Sequence, residues 1–159
     1  MTSDQKTAST FFIRIASLIP GYKSYNSKEN FRINDYEIRK FCSRKLNKKK
    51  ESYNNLKKQA VLDNQHELVL KLDKAQTLLR NFSDKIRLSK HGYSAIFKDN
   101  LVDEARLKQV VENDEKLISL VEKMSEDSNY LPIEEIIQTT EAIMDEMKDI
   151  LETREEILR

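Results

Sequence analysis

Glycine and proline, the residues that let a chain turn sharply, occur at only four positions: Pro20, Gly21, Gly92 and Pro132. A sheet protein of this length needs many tight turns, each drawing on such residues, so an all-β or α/β fold is excluded. What remains is a few long elements. The 35% of charged residues, beside 38% hydrophobic, fits long amphipathic helices with solvated outer faces. The fold class expected is all-α: an elongated helical bundle of four main helices with a short N-terminal amphipathic helix.

The apolar spacing places these elements. Phe11, Phe12, Ile15, Leu18 and Ile19 recur at three and four, which predicts an amphipathic segment over 8–19 that Pro20-Gly21 ends. A second helix is expected from Ser27 to about residue 62. It carries Phe31, Ile38, Phe41, Cys42, Leu46, Tyr53, Leu56, Ala60 and Val61, with a thin pattern at Lys48-Lys49-Lys50. At 1.5 Å per residue it is roughly 50 Å long. Asp63-Asn64 marks a break or a kink, and Asn64 with Glu67 has the form of a capping box, which supports a new start. The third helix then has the seam Leu68, Leu72, Ala75, Leu79, Phe82, Ile86, whose alternating intervals belong to a coiled-coil-like face, and His91-Gly92 ends it. A connector runs from Tyr93 to Leu101. Asp103 is the expected N-cap of a fourth helix using Leu107, Val110, Val111, Leu117, Ile118, Val121 and Met124. Pro132 suits the start of a last helix running from Ile133 to Leu158. Short connections make neighbouring helices antiparallel. The division expected is a segment over 1–20 followed by one bundle domain over 21–159.

Charge is sorted along the chain. Met1 to Lys98 holds 21 Lys and Arg against 9 Asp and Glu, a net of +12; Asp99 to Arg159 holds 7 against 18, a net of −11. One reading pairs the halves within the molecule, acidic helices on basic ones. The other offers a basic face to an anionic partner. The run Arg44-Lys45, Lys48-Lys49-Lys50, Lys57-Lys58 is the densest part of that face. It has no stacking aromatics beyond Tyr53 and an acidic half follows it, so nucleic acid is not the expected partner.

Catalytic patterns are missing. His66 and His91 are the only histidines, and Asp63 with His66 has no second ligand pair to complete a metal site. The two glycines lie too far apart for a phosphate loop. Cys42, the single cysteine, rules out an internal disulfide and suits a reducing compartment as a small apolar residue in a helix seam. No apolar run is long enough to span a bilayer, and Arg14 interrupts the only stretch that could serve as a secretory leader.

Leu18-Ile19-Pro20-Gly21-Tyr22-Lys23-Ser24-Tyr25 and His91-Gly92-Tyr93-Ser94-Ala95-Ile96-Phe97 resemble paired signatures, IPGY-x-x-Y and GY-x-x-[LI]-F, of an uncharacterised family of bacterial helical proteins. The resemblance covers residues 15 to 124 and implies no activity. It brings Tyr22, Tyr25, Tyr93 and Phe97 to one end of the bundle. In plan alone, with an amphipathic start, a basic hairpin and an acidic C-terminal part, the chain also resembles phage-shock-protein-A and ESCRT-type membrane-remodelling proteins.

The function expected is a non-enzymatic, cytoplasmic interaction or scaffold module without cofactors, whose partner is another protein or a second copy of itself. The alternative is a peripheral membrane protein, at the inner face, that binds anionic lipid through residues 8–19 and the basic second helix. The contact residues expected across both readings are Phe11, Phe12, Ile15, Leu18, Lys48, Lys49, Lys50, Tyr22, Tyr93 and Phe97.

Overall fold

A computed structural model of the chain describes residues 10, 13–23, 28–88, 97–98, 101–125 and 131–158. Within them a short helix α1 (residues 13–18) precedes four long ones: α2 (Lys28–Leu62), α3 (His66–Leu88), α4 (Glu104–Ser125) and α5 (Ile133–Leu158). The protein is an all-α helical bundle. Phe11, Phe12, Ser27, the His91-Gly92 stop and Tyr93 lie outside the described residues. The connector holds a small element that periodicity did not reveal: β1 (Phe97–Lys98) pairs antiparallel with β2 (Leu101–Val102).

The four helices form two antiparallel hairpins, α2–α3 and α4–α5, packed together through α2 on α4 and α3 on α5. Their apolar faces meet in one core that runs from Ile15 to Met147. The α3 seam behaves as its spacing predicts. Leu72, Ala75, Leu79 and Ile86 are buried, while Leu68 and Phe82 are half-buried at its margin. On α2 the predicted stripe is buried from Phe31 to Ala60, with Leu56 at its edge, but Val61 is 55% exposed. It stands at the hairpin tip, where α3 has only begun and offers no wall to cover it.

Helix ends follow local chemistry. Gly21 takes φ 96°, a conformation costly to any residue with a Cβ, and this turns the chain out of α1. Asp103 caps α4: its Oδ1 accepts from Arg106 N–H at 3.1 Å and its carbonyl from Leu107 N–H. The α2–α3 turn differs from expectation. Asn64 does not open α3 but closes α2. It sits at φ 55°, its N–H reaches the Val61 carbonyl, and Gln65 N–H reaches the Ala60 carbonyl. That is a Schellman C-cap, in which Asn takes the left-handed position usually held by Gly. The first carbonyl of α3 is then supplied by Gln65, which accepts from Val69 N–H.

α1 docks on the bundle. Ile15 and Ile19 are both 1% exposed and belong to the common core, and Arg14 pairs with Glu122 of α4 at 2.8 Å. Beyond Gly21, buried Asn34 pins the chain to α2. Its amide accepts from Lys23 N–H and donates to the Lys23 carbonyl, both at 2.6 Å.

Candidate functional site

Charged residues lie at two depths. In the core, Arg154 of α5 is 2% exposed. It donates to Asp114 of α4 and, at 2.9 Å, to Asp35 of α2. Asp35 also holds Arg39 at 3.0 Å, and Arg39 donates to the Ile86 carbonyl of α3 at 3.3 Å. The Arg154 guanidinium stands 5.8 Å from the centre of the Phe31 ring. Two bases and two acids thus form a neutral cluster that touches all four long helices. A buried charge is tolerable only when paired and hydrogen-bonded, and here each one is.

Cys42 lies beside this cluster, fully buried. Burial pushes its thiol up to about 12, and Asp114 adds to the rise, partly offset by Arg154. A thiol so placed stays protonated and is a poor nucleophile. The linkage is signed. An unfolded chain loses this proton near the ordinary value of 9.0, and the folded one at about 12. Between the two the folded state binds more protons, so stability falls as pH rises through that window. Cys42→Val should flatten the decline in denaturant midpoint from pH 9 upward. An identical alkaline slope in the variant would show that other groups cause it.

The basic run divides. Lys49 is 6% exposed and donates to the Met124 carbonyl at 3.3 Å, closing the C-terminal end of α4, with Tyr53 beneath its ammonium at 5.7 Å. A cation there answers the negative end of the helix dipole. Lys49 is therefore a cap between the hairpins, which explains why the apolar pattern thins at this turn. Lys48 is exposed and Lys50 half-buried. Of the other expected contact residues, Ile15 and Tyr22 are buried in the core and unavailable to a partner in this conformation, and Leu18 is half-buried. Phe97 forms part of β1.

Exposed charge gathers instead along the outer side of α2. A groove of about 580 Å³ runs beside it from Tyr36 to Glu51 and is closed from α3 by Arg87. Lys40, Arg44 and Lys48 line it in steps of one helical turn, beside Asn47. Among the described residues none of these three cations has a carboxylate partner. Arg87 has Asp84 at 3.4 Å. Lys40 and Arg44 rest over aromatic rings, at 5.8 Å from Tyr36 and 6.0 Å from Phe41. Ser43 lines the groove floor, and its buried hydroxyl lies 2.7 Å from that of Ser83 where α2 meets α3.

The intramolecular pairing expected of the two charge halves is sparse. Among the described residues, two ion pairs join a base before residue 99 to an acid after it: Arg14–Glu122 and Lys71–Glu134. The buried Arg154–Asp35 pair runs the other way. Most of the sorted charge on the described residues is exposed.

No group of His, Cys, Asp and Glu among the described residues has the arrangement to hold a metal ion, and none of the described helices is long and apolar enough to cross a membrane. No protein-family model, curated protein or solved structure matches this chain.

Proposed function

We propose that this chain is a non-catalytic helical interaction module, and that the basic groove along α2 is its partner surface for an acidic protein segment. The observation that carries this reading is the row Lys40, Arg44, Lys48, exposed, without carboxylate partners among the described residues, on a helix fixed at both ends by the core. A helix backbone held by the core presents these cations at even spacing, which favours recognition of a matching acidic row over loose attraction. A cytoplasmic setting accords with a single buried thiol.

The lipid reading asked for two surfaces at once, residues 8–19 and the second helix. Two apolar residues of the first, Ile15 and Ile19, are spent on the core. That weighs toward a protein partner.

Fluorescein-labelled poly-L-glutamate is a direct probe. Wild-type protein should raise its anisotropy at low salt and lose it as salt screens the contact. Lys40→Ala/Arg44→Ala/Lys48→Ala should weaken binding at least tenfold, whereas Lys58→Ala/Lys74→Ala, exposed lysines outside the groove, should leave it nearly unchanged. Equal losses in both variants would reduce the effect to overall charge and remove the groove as a site. Retention on phosphatidylserine vesicles without any response to poly-L-glutamate would favour the lipid reading instead.

A further inference from the structure

The molecule carries its own candidate for the groove. On α5 the side opposite Ile143, Met147 and Arg154 presents Glu135, Asp145, Asp149, Glu152 and Glu156, all exposed. They fall on a single line that continues through Gln138 and Ala142 with intervals alternating between three and four, so they form one straight acidic stripe. None of the five is in an ion pair among the described residues. The groove cations advance along α2 in steps of about 6 Å, and Asp145, Asp149 and Glu152 in steps of about 6 and about 4.5 Å. The two rows match in spacing and oppose in sign, and they sit on different hairpins.

We propose that the basic α2 groove of one molecule receives the acidic α5 stripe of a second copy of this chain. The proposal rests on the interaction-module reading and names its partner. Charge that finds few partners within the molecule finds them between molecules. Lys148, which flanks the stripe, is its one described exposed base and leaves the Asp145–Asp149–Glu152 line clear. A contact built on solvent-exposed charge is strongly screened by salt, with a screening length near 10 Å at 0.1 M falling to about 3 Å at 1 M. Unlike faces also make the contact separable, because each molecule can lose one face and keep the other.

Sedimentation equilibrium on the full chain tests this. Wild-type protein should exceed the 18.7 kDa monomer at low salt and return to it at about 1 M salt. Lys40→Ala/Arg44→Ala/Lys48→Ala removes the groove charge, and Asp145→Asn/Asp149→Asn/Glu152→Gln removes the stripe. Each should be monomeric alone at low salt, and an equimolar mixture should restore a species of twice the monomer mass. Wild-type protein that stays monomeric at low salt overturns the proposal, as do variants that associate like wild type or a mixture that stays monomeric. The salt titration of wild type decides even if a variant folds poorly. A monomeric wild type that still binds poly-L-glutamate refutes self-pairing and leaves the module reading standing; loss of both refutes both.

Discussion

Arg154→Ala is expected to cost the fold about 3–5 kcal/mol, because it takes the base from buried Asp114 rather than merely deleting a contact. For a chain of this size the melting temperature should fall by roughly 6–20 °C. Asp114 is fully buried and Asp35 is 5% exposed, and Arg154 donates to both. Without it Asp35 keeps Arg39, but Asp114 loses the base at its side. The double variant Arg154→Met/Asp114→Asn removes one positive and one negative charge together and leaves the Asp35–Arg39 pair neutral. It should recover much of the loss, since replacing a buried pair outright is far milder than breaking it. Urea denaturation of Arg154→Met, Asp114→Asn and the double variant gives the coupling directly. Additive single effects, or a loss under about 1 kcal/mol for Arg154→Ala, would show that the cluster is not held as a unit.

Tyr53→Ala is the second large effect, at about 3–5 kcal/mol. Tyr53 is fully buried in the middle of α2, and its hydroxyl donates to Thr140 Oγ1 of α5 at 2.8 Å. Thr140 in turn donates to the Ile136 carbonyl at 2.8 Å, so the phenol is received by a hydroxyl already oriented for it. The ring fills space where the two hairpins meet, and its loss leaves a cavity that neither hairpin can close alone. Tyr53→Phe keeps the ring and should cost only about 0.5–1.5 kcal/mol. Comparable losses in the two variants would mean that the hydrogen bond outweighs the packing.

The fold was legible because the apolar period is strong. The α3 seam, the α4 stripe and the Asp103 cap could be read from spacing and residue type alone, and the structure has them where expected. The Asn64 turn was misassigned because Asn serves equally at either end of a helix. What decides is the backbone angle, which residue type does not determine. The ionic cluster was missed, although a signal existed. Asp35 falls between Phe31 and Ile38, Asp114 between Val110 and Leu117, and Arg154 between Leu151 and Leu158, each at a position the apolar pattern would fill. Two acids and two bases at core positions of three helices are a buried network announced by its gaps. Lys49 was hidden in the same way inside a run of lysines, since its neighbours look identical and only packing separates them. The groove was half legible. Its cations lay in the basic run or near it, but which of them share an open face depends on where α3 lies.

That position is set by the apolar seam, and the Ser43–Ser83 pair marks it beside the groove. Two of the smallest polar side chains meet where the rods cross nearest the groove, and their hydroxyls satisfy each other. Side chains this small let the two helices approach closely, one turn from Arg87 on α3 and next to Arg44 on α2. The slot between the cationic row and Arg87 therefore has an uncharged floor at Ser43, whose hydroxyl is already engaged by Ser83.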